Sequence, residues 1–246
     1  ISCAAFCCIS TEASVKSATT SQSPNSKTEA ESVPERLRIT EIFYSLQGEA
    51  RTVGFPTVFI RLTGCPLRCG YCDTEYAFYG GQWMAFDEIL GRVRDYKPRF
   101  VTVTGGEPLA QKPCRDLLAK LCAAGYEVSL ETSGALDIGG IDPRVSIVMD
   151  LKTPRSGEET KNLYANIGLL QPKDQVKFVI CDRADYEWSR AKLTEYRLVG
   201  VCELLFSPTY GQIEPRQLAE WILADNLPVR MQVQLHKFLW GEERGH

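Results

Sequence analysis

Residues 57–72 read Thr57-Val58-Phe59-Ile60-Arg61-Leu62-Thr63-Gly64-Cys65-Pro66-Leu67-Arg68-Cys69-Gly70-Tyr71-Cys72. The first six are β-branched, apolar or aromatic apart from Arg61 and predict a strand. The last eight form a short loop, and Gly64 just before it with Pro66 and Gly70 within it supply bends that let three sulfurs converge. A strand that hands a polar motif to the following loop is the opening of a β/α unit, and the pattern recurs downstream. Phe100 to Thr104 runs into Gly105-Gly106-Glu107-Pro108, and Glu127 to Glu131 meets Thr132-Ser133-Gly134. Val145 to Leu151 carries Asp150 and leads to Lys152, and Gln175 to Ile180 leads to Asp182. Val201 to Phe206 precedes Ser207-Pro208-Thr209, and Val229 to Leu235 precedes His236-Lys237.

Helical spacing fills the intervals. Phe86 to Tyr96 places Ile89, Leu90, Val93 and Tyr96 on one face. Pro113 opens a second helix carrying Leu117, Leu118, Leu121 and Cys122, with Gly125 as its stop, and further helices fit Ala184 to Tyr196 and Glu214 to Ala224. Parallel strands joined by helices put every C-terminal strand end on one side, so the polar loops meet at one rim. The expected fold is an incomplete (β/α) barrel with its chemistry at that rim. An open doubly wound sheet is the alternative, because no clear eighth unit is present and some connections are short for a helix.

Composition narrows the function classes. A net charge of -3 over 246 residues, with 24% charged and 44% hydrophobic side chains, gives no basic excess for nucleic acid. No apolar run approaches the roughly 18 residues a membrane span needs. Ten cysteines raise the question of disulfides, but a chain this long needs no staples and three of the ten fall within eight residues, which points to a metal site in a reducing cytoplasm. Residues 1–36 are rich in Ser, Thr, Glu and Lys and poor in large apolar side chains, so they read as a disordered, non-functional extension before a catalytic domain at 37–246. Their start, ISCAAFCCIS, has the look of a targeting fragment but lacks a basic flank.

Three thiolates from one loop leave a tetrahedral zinc ion short of a ligand, since the next cysteine is Cys114 in a predicted helix and the first histidine is His236. They suit a four-iron cluster with one iron open to an exogenous ligand. The CxxxCxxC spacing at Cys65, Cys69 and Cys72, with aromatic Tyr71 before the last cysteine, resembles the signature of the radical S-adenosylmethionine (radical SAM) superfamily. That resemblance implies a 4Fe-4S cluster whose open iron is chelated by S-adenosylmethionine, and a 5'-deoxyadenosyl radical that abstracts a substrate hydrogen. Thr104-Gly105-Gly106-Glu107-Pro108 looks like the superfamily's GGE motif, which binds the methionine amino group.

A narrower resemblance, to the 7-carboxy-7-deazaguanine synthase family, rests on Ile42 to Glu49 (IFYSLQGE), Arg61 to Cys65, Cys72-Asp73-Thr74, Asp150 to Pro154 (DLKTP), Ser207 to Gly211 (SPTYG) and His236-Lys237. It implies ring contraction of 6-carboxy-5,6,7,8-tetrahydropterin with loss of ammonia in queuosine and 7-deazapurine biosynthesis, dependence on Mg2+, and regeneration of S-adenosylmethionine each turnover. Carried over by position, Leu46, Gln47, Gly48, Arg61 and Thr104 would contact the pterin, with Arg61 on its carboxylate. Thr74 would offer its hydroxyl to Mg2+. Gly106, Asp150, Leu151, Lys152, Ser207, Pro208, Thr209 and Tyr210 would line the cofactor. The resemblance also implies a homodimer and a reductase, flavodoxin or ferredoxin as electron donor. Some members of that family carry Ser-Pro-Lys where this chain has Asp150-Leu151-Lys152, and short members end soon after the His-Lys pair where this one continues to His246. Competing readings are a glycyl-radical activating enzyme and a zinc-binding interaction module.

Overall fold

The computed structural model describes residues 35–245. The expected disordered extension falls almost wholly on residues 1–34, outside the described residues. Arg36, placed in that extension by the sequence, already pairs with Ala85 as the first residue of a strand.

Among the described residues nine strands form one open sheet in the order β3-β1-β2-β4-β5-β6-β7-β8-β9. The seven parallel strands are those the alternation predicts: β2 (Pro56–Leu62), β4 (Phe100–Gly105), β5 (Glu127–Thr132), β6 (Ser146–Asp150), β7 (Gln175–Ile180), β8 (Glu203–Pro208) and β9 (Arg230–Met231). Four helices follow the predicted spans, α1 (Phe86–Asp95), α2 (Cys114–Ala123), α3 (Arg183–Glu195) and α4 (Pro215–Ala224). Their apolar faces pack on one side of the sheet: Ile89, Val93, Leu117, Leu118, Leu121 and Leu218 are fully buried with Val101, Val103 and Phe178 from the strands. Each such side chain contributes roughly 1.5–3 kcal/mol by leaving water. The sheet does not close, so the fold is the incomplete barrel. No helix among the described residues is long and apolar enough to cross a membrane.

Two features depart from the sequence reading. An antiparallel hairpin-like edge, β1 (Arg36–Leu46) paired to β2 and to β3 (Gln82–Ala85), precedes the parallel units. The stretch expected as a strand from Val229 to Leu235 keeps only Arg230 and Met231 in β9 and turns into a fifth helix, α5 (Leu235–Trp240). His236 therefore sits in a helix and not at a strand end. The chain is diverted by the loop between β1 and β2: Gln232 bonds both the amide and the carbonyl of Ala50, and the Leu235 amide donates to the Gly48 carbonyl at 3.0 Å.

That loop, residues 47–55, lies at the N-terminal ends of β7, β8 and β9. Arg51 N donates to Gln175 Oε1 at 3.0 Å, and Arg51 and Arg230 both pair with Glu203, at 3.4 and 2.8 Å. Gln175, Glu203 and Arg230 are the first residues of β7, β8 and β9. One loop thus forms a floor under the barrel interior.

Candidate active site

A cavity of about 400 Å³ opens above this floor. Its wall follows from strand periodicity, because residues two apart share a face. Phe59 and Arg61 of β2, Val148 and Asp150 of β6, and Lys177 and Val179 of β7 all point inward, joined by Thr104 of β4, Glu131 of β5 and Ser207 of β8.

Cys65, Cys69 and Cys72 line one side of the cavity, partly exposed and unbridged. Their loop is seated by the glycine motif beneath it. The Glu107 amide donates to the Gly64 carbonyl at 2.9 Å and the Gly106 amide to the Leu62 carbonyl at 3.2 Å. A Cβ on Gly106 would overlap the Gly64 carbonyl oxygen and come within 2.8 Å of Cys65 Cβ, so only glycine permits this approach. Gly105, at φ +140°, is held against Leu62 in the same way.

The role of Glu107 differs from the expectation. Its carboxylate is fully buried and accepts hydrogen bonds from the Leu109 amide (3.0 Å), the Thr132 hydroxyl (2.9 Å) and the Ser133 amide (2.7 Å) and hydroxyl. It clamps the loop after β4 to the loop after β5, and it is Gly105 and Gly106 that line the cavity. Leu151 also departs: its side chain is fully buried in the hydrophobic core, and its amide donates to the Lys177 carbonyl. The remaining predicted residues, Leu46, Gln47, Gly48, Arg61, Thr74, Thr104, Gly106, Asp150, Lys152, Ser207, Pro208, Thr209 and Tyr210, all border the cavity.

Arg61 is not a surface charge. Its side chain is only 16% exposed, its Nε donates to Glu41 Oε1 at 2.6 Å, and its guanidinium lies 5.5 Å from the Phe43 ring and 5.8 Å from the Tyr76 ring. Tyr76 donates to the same Glu41 oxygen at 2.8 Å. Thr74 donates its hydroxyl to Asp73 Oδ1 at 2.7 Å, which leaves its lone pairs for a cation.

Several site residues escaped the sequence reading. Glu131 accepts from Thr104 Oγ1 at 2.8 Å and from Gln47 Nε2 at 3.3 Å. Burial and the nearby Glu49 charge raise its pKa despite Lys177, Thr104 and Arg61. Glu49, carried in by the floor loop, pairs with Lys177. Burial alone would push Glu49 up, but Lys177, His236 and Gln234 pull it below the usual carboxylate value. Burial likewise opposes the charge on Lys177, and Glu49 and Asp150 more than restore it. Gln234 Nε2 lies 2.8 Å from Glu49 Oε1 and 3.2 Å from Asp73 Oδ2, bridging the floor to the cysteine loop. His236 packs so closely on Gly48 that a Cβ there would overlap its ring, and burial lowers its pKa. A charged residue inside an apolar strand, as in Gln175 to Ile180 (QVKFVI), was the available signal for Lys177.

The donor set fits the implied groups. Burial raises all three thiol pKa values, Cys69 to about 11, with Lys152 opposing in each case, so loading metal here must displace thiol protons. Among the described residues no three His, Cys, Asp or Glu side chains close on one point as a single ion would require. Thiolates spread along one loop instead suit a cluster in which each takes its own iron. Asp150 Oδ1, Ser207 Oγ and Tyr71 Oη are buried without a protein partner and border the same cavity, the mark of a polar ligand's contacts. Lys152 pairs with Asp150 at 2.7 Å and lies 5.7 Å from the Tyr71 ring.

Comparison with known proteins bears on family and fold. The model of the Radical SAM superfamily matches residues 59–203. The 7-carboxy-7-deazaguanine synthase of Chlorobaculum tepidum is 46% identical over 210 residues, covering 84% of this chain and 96% of the relative. That of Koribacter versatilis is 42% identical over 224 residues, covering 84% and 98%. Among solved structures, QueE from Escherichia coli superposes with a TM-score of 0.68 at 24% identity, covering 82% of this chain and 95% of that one, a likeness of fold.

Proposed function

The chain belongs to the 7-carboxy-7-deazaguanine synthase family of the radical SAM superfamily, and on that premise we propose that it converts 6-carboxy-5,6,7,8-tetrahydropterin to 7-carboxy-7-deazaguanine with release of ammonia. The observation that carries this reading is that three loop thiols and a guanidinium held by a carboxylate face one cavity with a polar floor. The 4Fe-4S cluster and S-adenosylmethionine together supply, when bound, the radical that abstracts the substrate hydrogen.

The chain's own side chains do the rest. Cys65, Cys69 and Cys72 hold the cluster, and Asp150, Lys152, Ser207 and the Gly105-Gly106 backbone border the cofactor's place. Arg61 has its Nε taken by Glu41 and keeps its two terminal nitrogens for a planar carboxylate. Thr104, Glu131 and Gln47 present a hydrogen-bonded row to the heterocycle, in which Glu131 and the Gln47 side chain offer both acceptor and donor atoms. The floor loop and the Glu49–Lys177 pair exclude water from below.

Thr74 is the Mg2+ ligand in this reading, since a hard cation takes oxygen and shares it with substrate. A reductase, flavodoxin or ferredoxin supplies the electron, the protein acts as a homodimer in the cytoplasm, and the residues from Arg36 onward form the catalytic unit. A glycyl-radical activating enzyme would need room for a partner's backbone, which the floored cavity does not favour. Mass-spectrometric detection of the deazaguanine product from reduced, anaerobic protein supplied with the pterin tests the assignment.

A further inference from the structure

The loop that carries the three cysteines is seated on one side by the glycine motif. Its other side rests on the excursion between β6 and β7, residues 153–161, which the reaction does not use. That excursion is rigidly built. Thr153 Oγ1 donates to the Val179 carbonyl at 2.9 Å, the almost fully buried Ser156 donates its hydroxyl to the Thr153 carbonyl at 2.6 Å, and Gly157 makes the turn at φ +74°. It is tied to α3 by the Arg155 amide on Asp185 Oδ1 (3.0 Å) and by Trp188 Nε1 on Glu159 Oε1 (2.9 Å). Two bonds pass from this platform to the cysteine loop. The Gly70 amide donates to the Ser156 carbonyl at 3.0 Å, and the Arg68 amide donates to Glu158 Oε1 at 2.5 Å. Glu158 is oriented for this by its own amide, which donates to Ser156 Oγ at 3.0 Å.

Among the described residues, Glu158 is the one side chain from outside the loop that bonds the backbone of 65–72. It does so between Cys65 and Cys69, next to the Leu67 amide that donates to Cys65 Sγ at 3.4 Å. Amide-to-sulfur bonds of this kind help set a cluster's reduction potential. A charge-assisted bond to a loop amide is worth more than a neutral one, and it acts on a stretch that Arg68 also holds from within through Nη1 on the Cys65 and Leu67 carbonyls, at 2.8 and 2.6 Å.

We propose that Glu158 is a positioning residue that fixes the Cys65-to-Cys69 half of the loop, so that the thiolates keep their spacing on the cluster. This rests on the reading of Cys65, Cys69 and Cys72 as its ligands. The full chain, reconstituted anaerobically, is compared with its Glu158→Ala, Glu158→Gln and Cys69→Ala variants for iron per chain, rate of iron release to a chelator, and midpoint potential. Glu158→Ala releases iron about tenfold faster, the effect of losing one charged hydrogen bond, with a shifted potential. Glu158→Gln keeps an acceptor oxygen but makes only a neutral bond, so its release rate falls between the parent and Glu158→Ala. Cys69→Ala holds no intact cluster; retention there would overturn the underlying ligand assignment instead. If Cys69→Ala loses its cluster while Glu158→Ala matches the parent in release rate and potential, or Glu158→Gln is as fast as Glu158→Ala, the positioning role is wrong. Should Glu158→Ala show no cooperative melt, Glu158→Asp, which draws the carboxylate back by one methylene, carries the same comparison.

Discussion

Arg61 Nε donates to Glu41 Oε1 at 2.6 Å, and that bond sets the plane of the guanidinium inside the cavity. The terminal nitrogens have no protein hydrogen-bond partner among the described residues. Arg61→Ala therefore removes the fork proposed for the pterin carboxylate, and the expected outcome is a fall in kcat/KM of about 1.5–3 kcal/mol with iron content unchanged. Glu41→Gln keeps a weaker acceptor for Nε and loses less. Steady-state kinetics on both variants, with iron analysis, separates a binding role from a structural one.

Thr74→Ala removes the hydroxyl whose proton Asp73 holds. The Mg2+ concentration for half-maximal rate rises, and the response to pterin changes less than in Arg61→Ala. An Mg2+ titration that overlays the parent's takes Thr74 out of the metal site.

Lys177 and Glu49 form a buried pair, each side chain 14% exposed, that anchors the floor loop. Lys177→Ala leaves a buried carboxylate without its cation and costs about 3 kcal/mol in urea denaturation. The pH dependence has a definite sign. Glu49 is held below its ordinary value of 4.5, so it stabilises the fold above that pH and the contribution is lost as pH falls through the lowered pKa. Glu131 is raised above 4.5, so its penalty sets in as pH climbs past 4.5 and is complete above the raised pKa. Glu131→Gln is accordingly more stable than the parent at neutral pH, and Glu49→Gln lacks part of the parent's acid loss.

Gly106→Ala places a methyl where the Gly64 carbonyl oxygen and Cys65 Cβ already stand. The cysteine loop must move, so the variant retains less iron after reconstitution although its secondary structure is intact by circular dichroism.

The parallel strands and four helices were legible because their periodicities are local: FVTVT and QVKFVI cannot be confused with the Ile89, Leu90, Val93 face of α1. The edge hairpin was hidden because Ile42 to Glu49 carried a family motif, and β3 is four residues whose strand state comes from pairing with Arg36 to Ile39. Helix α5, LHKFLW, is six residues, too short for periodicity to settle, and its state is set by contacts far away in sequence, of Leu235 and His236 with Gly48 and of the preceding Gln232 with Ala50. The site shows the same division. Cys65, Cys69, Cys72, Arg61 and Thr74, singled out by spacing and resemblance, all border the cavity. Glu49, Glu131 and Gln234 are ordinary polar residues until the floor loop brings them together, and Leu151 sat beside two cavity residues yet faces the core.

The most direct test of the central claim is an anaerobic reaction of the reduced full chain with 6-carboxy-5,6,7,8-tetrahydropterin, S-adenosylmethionine and Mg2+, in which deazaguanine, ammonia and remaining S-adenosylmethionine are quantified together. The expected result is 7-carboxy-7-deazaguanine and ammonia in equal amounts over many turnovers, with S-adenosylmethionine largely undiminished and no product from Cys69→Ala. Cleavage of S-adenosylmethionine by a fully loaded cluster, with neither product formed from the pterin, would contradict it.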